Sequence, residues 1–284
     1  MNQISNNIKK YRKNGEELIK KLKLTTYPIA VHLIQKGEKI SPNALRPKDM
    51  FGYEVPPCLL YTWCRRAGMH FHIQGEDIAC KPVSIHYFGL EKINNPDEVY
   101  KAWERKAKYK EDAKMEEKSR EKDSRLDLGE IDGIVLSPLN STIVIPDVVM
   151  IYCSPLILSH LILSATYNGD VITSHFNGME ASCKEGIIRT YNSNECQVVA
   201  PGMGDRVMAG VQDHEMIFSI PVSKLSNILN NLFLAGKKIS PHPFKIPHIN
   251  ATLGPVQTFG KYNEPGVWPY LRKKISIKEK NDEK

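Results

Sequence analysis

No run in this chain approaches the roughly 18–20 apolar residues needed to cross a bilayer. Its first residues, MNQISNNIKKYRKNGEELIKK, contain no apolar leader core and no cleavage signal. Both absences lead to the expectation of a cytoplasmic protein with no membrane partner. There is no CxxC pair, and six cysteines lie at irregular spacing over 284 residues. That pattern excludes a disulfide framework. No basic segment is interleaved with aromatics, so nucleic acid is not an expected partner. The net charge of +7 comes largely from the two ends of the chain. No carboxylate pair stands out for general acid–base work. The glycine-containing stretch PGMGDRVMAG is neither a Walker loop nor a dinucleotide fingerprint, because GMGDRV lacks the final glycine. There is no true repeat; IACKPVSI and ASCKEGII are only two similar octapeptides.

What the chain does have is an ordinary globular composition, 41% apolar and 25% charged. It is long enough to bury a full core. Residues 4–23 read as an amphipathic helix, with Ile4, Ile8, Tyr11, Leu18, Ile19 and Leu22 apolar and Gly15 weakening it. YPIAVHLI, residues 27–34, has the density of a buried strand. A proline-rich loop over 41–57 leads to a short helix at 58–67, a strand at 70–73 and a helix over 82–90. The mixed-sign segment 101–125 reads as a solvated helix. Strands then follow at 131–137, 147–153, 171–175, 197–200 and 216–220. Helices follow at 155–167, from Cys183 to Tyr191, and at 222–234. This alternation predicts a layered α/β (or α+β) fold, a mixed sheet with helices, over residues 1–235. Residues 236–284, Pro-rich and then charged, read as a tail.

The cysteines carry the chemistry. Cys58 and Cys64 lie in PPCLLYTWC, Cys80 in GEDIACKPVSIHYFGL and Cys183 in GMEASCKEGIIRTY. Cys80 and Cys183 each precede a lysine and open an apolar run. A thiol at a helix N-terminus is expected to have a lowered pKa, and thiolate is the form that attacks electrophiles and binds metals. Cys58 and Cys64 are six apart and do not share a helix face. Cys153 closes an apolar strand and reads as core, although strand C-termini are where α/β sheets hold ligands. His70 and His72 share a strand face, His86 falls on the helix after Cys80, and His214 reads as an exposed turn residue. His175 is the candidate acid–base partner for a thiol. Gly202, Gly204 and Arg206 offer an anion site of backbone N–H groups and a guanidinium. Arg189 is a candidate carboxylate clamp, and Arg65 and Arg66 follow Cys64 directly.

The motifs YPIAVHLI, CRRA…EDIACKP, PDVVMIYCSP, ITSHFNGMEASCKEGIIRTY and PGMGDRVMAG occur in this order. Together they resemble the bacterial and archaeal family called domain of unknown function 169, over roughly residues 20–235. The resemblance implies recurrent cysteines at Cys64, Cys80 and Cys183, a position shared by some members at Cys196, and a setting in anaerobic metabolism. Relatives often carry Pro directly after the second cysteine, where this chain has Lys81. Cys58 and Cys153 look particular to this chain.

Three functional readings remain open at this point. In the first, Cys64, Cys80 and Cys183, with Cys58 or Cys196, hold an iron–sulfur cluster or, alternatively, zinc. Arg189 and the 202–206 turn then bind a small anionic molecule, or the cluster serves a redox partner protein. In the second, Cys183 is a metal-free nucleophile assisted by His175. In the third, the cysteines are buried small hydrophobes in a non-catalytic binding module.

Overall fold

The computed structural model describes residues 2–235, except 39–43, 93–94, 96–97, 99–100, 103–104, 107 and 177. The expected tail at 236–284 lies outside the described residues.

A six-stranded sheet organises the described residues. Its strands are β1 (Ile29–Gln35), β2 (Phe71–Ile73), β3 (Ile131–Pro138), β4 (Val148–Cys153), β5 (Gln197–Val199) and β6 (Met216–Pro221). They lie in the order β2-β3-β1-β4-β6-β5, and every pairing is antiparallel. The expected layered fold is thus present in its α+β form. β1 and β4 sit in the middle because both are apolar on both faces, as a strand covered on both sides must be. β1 has residues Ile29, Val31 and Leu33 on one face and Ala30 on the other. β4 divides likewise, with Val148, Met150 and Tyr152 opposite Val149, Ile151 and Cys153.

Helices cover each face. On the Cys153 side lie α1 (Asn2–Leu22), α5 (Pro155–Ala165) and α8 (Val222–Asn231), which contribute Leu18, Leu22, Leu158, Leu161, Leu225 and Ile228 to the core. Gly15 lets α1 lie against the turn after β3, because a Cβ there would overlap the backbone of Leu139 and Asn140. On the other face lie α3 (Pro57–Ala67), a π-helical turn (Val83–Tyr87) and α6, residues 181–193. α6 starts with an α-helical turn, Ala181–Cys183, becomes π-helical over Lys184–Arg189 and closes at Thr190–Ser193. Gly186 brings it close to the sheet, where a Cβ would stand 3.2 Å from Met150 Cε and 3.3 Å from Ser219 Oγ. The short helices α2 (Pro47–Phe51), α4 (Ala113–Arg120) and α7 (Met203–Val207) complete the set used below.

Two expectations change. Residues 171–176 form no strand; they run irregularly past the edge strand β5, where Ser174 Oγ accepts from the Val198 N–H at 2.8 Å. Of the expected helix over 101–125, the described helix α4 covers Ala113–Arg120, with Asp112 accepting from the Met115 N–H as its N-cap.

Candidate functional site

Three thiols from three separate elements line one cavity of about 50 Å³ on the α3 and α6 face of the sheet. Cys58 comes from the first turn of α3, Cys80 from the loop before the π-helical turn, and Cys183 from the first turn of α6. The rest of the wall includes Met179, Glu180, Met203, Gly204, Asp205, Met208 and Tyr109. Among the described residues, the thirteen of the wall include no lysine, arginine or histidine.

Local sequence explains how each thiol arrives. Pro56 and Pro57 start α3, since proline suits a first helical turn whose N–H groups have no helical partner. Gly68, at φ 73°, ends it. Glu180, at φ 41°, initiates α6 in the left-handed region that non-glycine residues rarely adopt. Such a conformation costs on the order of 1–3 kcal/mol and clusters at functional sites. Gly178, just before it, is also left-handed at φ 80°. The chain therefore turns sharply twice to deliver Met179 and Cys183 to the cavity.

The polar partners are specific. Tyr61 Oη lies 3.1 Å from Cys183 Sγ, and both are buried. Cys58 Sγ donates to the Gly204 carbonyl at 3.5 Å. Asp205 is buried and accepts from Ser182 Oγ at 2.5 Å and from the Gly202 N–H at 2.9 Å. Tyr152 Oη reaches the same serine at 3.4 Å. Below this network Arg65 stacks over the Tyr152 ring at 4.2 Å and pairs with Glu215 through 2.5 and 3.0 Å bonds.

Burial controls the protonation of the thiols. It pushes Cys80 up to about 11, assisted by Glu180 and Asp205. It raises Cys58 further, with Asp205 adding to the effect. It also raises Cys183 well above its ordinary range, although the Tyr61 hydrogen bond works the other way. The lowered pKa expected from a helix N-terminus does not emerge, because loss of water outweighs the dipole of one short turn. Asp205 is itself raised by burial, against the pull of Ser182 and Gly202. Neutral thiols thus line the cavity.

Cys64 does not line this cavity; it is fully buried in the core beneath α3, where burial raises its pKa. Cys196 and Cys153 belong to the core on the opposite face of the sheet, and burial pushes each up to about 12. His175 is exposed on the irregular 171–176 segment and is absent from the cavity wall. Arg189 is engaged by Glu185, one turn back on α6, and donates to the Lys122 carbonyl at 3.1 Å. Arg206 donates to the Gln212 carbonyl at 2.7 Å, so neither guanidinium lines the cavity. Gly202 caps α7, and of the 202–206 group Met203, Gly204 and Asp205 reach the wall while Gly202 and Arg206 do not. Arg65 serves Glu215, and Arg66 donates to the Gly210 carbonyl at 3.2 Å. His70 lies just before β2 and contacts the Ser141 carbonyl at 3.1 Å, so the two histidines do not form a strand pair.

Several wall and support residues escaped sequence reasoning. Tyr61, Ser182 and Asp205 carry the polar network, yet each sits in a stretch read for its cysteine or its glycines. Two signals were present: Asp205 at the third position of α7, where its carboxylate returns to the Gly202 N–H, and the serine directly before Cys183.

Fold and site together define an antiparallel α+β protein with a sulfur-walled cavity on one face of its sheet. The chain belongs to the family called domain of unknown function 169, described as uncharacterised ArCR, whose profile matches residues 17–231. It is similar to an uncharacterised protein of the archaeon Methanocaldococcus jannaschii, at 27% identity over 101 residues. That stretch is 35% of this chain and 43% of the relative, so the match spans less than half of the relative's length. No solved structure matches. Among the described residues, no helix is long and apolar enough to cross a membrane.

Proposed function

We propose that the cavity is a thiol site that takes up a thiophilic metal centre, either an iron–sulfur cluster or a single ion, on Cys58, Cys80 and Cys183. One observation carries the reading: three cysteines distant in sequence meet at one cavity whose wall also holds Asp205 and Glu180 and, among the described residues, no cationic side chain. Such a wall is short of positive charge once its thiols ionise. A thiophilic cation supplies that charge and displaces the thiol protons. Among the described residues, no three His, Cys, Asp or Glu side chains stand close enough to hold a metal ion. Holding one centre on all three thiols therefore requires them to come closer together than they stand here. The centre would serve redox or small-molecule chemistry.

A metal-free nucleophile at Cys183 has less support. An activated thiol needs a base or a cation beside it; among the described residues the wall offers no histidine, lysine or arginine, and its carboxylates push the thiol pKa values up rather than down. The test is anaerobic purification followed by an absorption spectrum and elemental analysis for iron, zinc, copper and acid-labile sulfide. The proposal expects bound metal that is lost in Cys58→Ser, Cys80→Ser and Cys183→Ser and kept in Cys153→Ser. Protein that holds none of these metals, as purified or after reconstitution, overturns it.

A further inference from the structure

We infer that the occupant of the cavity is a single soft monovalent cation of the copper(I) class, admitted past a methionine rim formed by Met203 and Met208. The inference rests on the metal reading above and narrows it to one chemical class. Sulfur is concentrated here far beyond its supply. Six of the thirteen wall residues are cysteine or methionine, in a chain with six cysteines and nine methionines among 284 residues. Methionine is a common gap-filler in cores, but Met203 and Met208 are 53% and 48% exposed, so they fill no core. Met179 is buried at 5%. The thioethers thus run from the surface inward to the thiols.

Ligand softness decides between metals. Thiolates suit copper(I), zinc and iron–sulfur clusters alike, so the choice falls to the thioethers, which are soft ligands that suit copper(I) and are not among zinc's usual ligands. A structural zinc site closes with four ligands drawn from cysteine and histidine. Among the described residues this wall has three cysteines and no histidine, and Asp205 already accepts from Ser182 and Gly202. Size points the same way. One water needs about 10–15 Å³ of such space, so a cavity of about 50 Å³ admits one ion more readily than a multi-iron cluster. A monovalent ion also needs no fourth strong ligand. On binding, the ion forms bonds to thiolate sulfur, the released thiol protons pass to solvent, and copper stays in its +1 state.

The experiment is anaerobic titration of the full, reduced chain with copper(I) in competition with the chromogenic chelator bicinchoninate. Parallel titrations use zinc(II) alone and iron(II) with sulfide. The expected result is withdrawal of one equivalent of copper(I), not displaced by excess zinc(II) and lost in Cys58→Ser, Cys80→Ser and Cys183→Ser. The double variant Met203→Leu/Met208→Leu should melt like the parent and bind copper(I) about tenfold or more weaker, the scale on which supporting ligands act. Its residual zinc(II) binding should be unchanged. If zinc(II) or an iron–sulfur cluster binds through the three cysteines in preference to copper(I), the inference falls and the metal site stands. Copper(I) bound equally well by all three cysteine variants overturns the inference, as does an unaltered affinity in the double methionine variant. If none of the metals binds, both the inference and the site fall together.

Discussion

At the scale of single residues, the most consequential groups away from the cavity are charged ones held under the surface. His32 on β1 places Nδ1 2.9 Å from Asp147 and Nε2 3.0 Å from Glu38. Burial lowers its pKa, but the hydrogen bonds and charges of the two carboxylates outweigh burial, and the net shift is upward. A histidine whose pKa is higher folded than unfolded binds its proton more tightly in the folded state. Its contribution to stability is therefore complete below about 6.5, the unfolded value, and is lost as the pH rises through the folded value. Urea unfolding at about pH 5.5 and about pH 8.5 should show a stability advantage of the parent over His32→Gln at the lower pH that shrinks at the higher one. An advantage that grows with pH contradicts the assignment. Arg65 is a different case, a guanidinium held by one carboxylate. It is fully buried, bidentate to Glu215 and stacked on Tyr152. Arg65→Met leaves the Glu215 carboxylate in a buried position with Arg66 at 3.6 Å and the Gln212 N–H at 2.8 Å to answer it. Breaking such a pair costs about 3–5 kcal/mol, which chemical denaturation would detect.

At the scale of elements, the outcome turns on whether a rule acts locally or through packing. Gly15 reads from sequence as a weak point in α1, and in isolation alanine there would stabilise the helix by roughly 0.5–1 kcal/mol. In the fold, a Cβ at that position meets the backbone of Leu139 and Asn140, which cannot swing aside as a side chain would. Gly15→Ala is therefore expected to destabilise by about 1–3 kcal/mol, the usual cost of overpacking, and to lower the melting temperature; a rise would restore the local rule. Periodicity and capping made most elements legible. α3, α5, β4 and β6 lie where apolar runs and prolines place them, within a few residues. The irregular 171–176 segment was not legible, because Val171 and Ile172 supply strand-like composition, yet the segment meets the edge strand β5 through the Ser174 side chain and forms no strand. Strand direction was not legible either. Alternating helices and strands suit parallel crossovers, but here the short elements return antiparallel.

A second element, the segment ending at Asp123, ties the cavity wall together. Lys184, next to Cys183, is fully buried and reaches Asp123 at 3.0 Å, and Tyr87 of the π-helical turn donates to the same carboxylate at 2.8 Å. The charged stretch that carries α4 thus pins both elements that deliver Cys80 and Cys183, and it places Tyr109 on the cavity wall. A solvated mixed-sign helix was the sequence reading. The buried aspartate was hidden in it because its partners lie 36 and 61 residues away. Asp123→Asn keeps the Tyr87 bond but removes the charge opposite Lys184. It is expected to destabilise the protein by a few kcal/mol, about the cost of an unpaired buried cation, and to speed alkylation of Cys80 in the native state.

At the scale of the whole molecule, the sheet sorts the cysteines, and sequence spacing could not have done so. The six-residue step from Cys58 to Cys64 told that they face apart, and the period of two along DVVMIYC placed Cys153, but nothing local told that Cys58 rather than Cys64 joins Cys80 and Cys183. That choice is made by α3 packing with Cys58 toward α7, a contact between segments about 145 residues apart (the Cys58 bond to Gly204 spans 146). The sorting has a measurable consequence. All six cysteines are free, five are buried, and Cys80 alone is half-buried. With its pKa pushed up to about 11, Cys80 is thiolate in only about one part in ten thousand near pH 7, so it should react slowly with a disulfide reagent and about tenfold faster per unit rise in pH. The native chain is therefore expected to yield one slow thiol, and urea to release the other five together, because Cys153 and Cys196 are shielded by the α5 and α8 layer and Cys58, Cys64 and Cys183 by the α3 and α6 layer. Mass mapping of the first modified cysteine decides the matter. Modification of Cys153 or Cys196 before Cys80 means that the helical layer over that face opens more readily than the cavity, and the two-layer arrangement of the thiols would have to be redrawn.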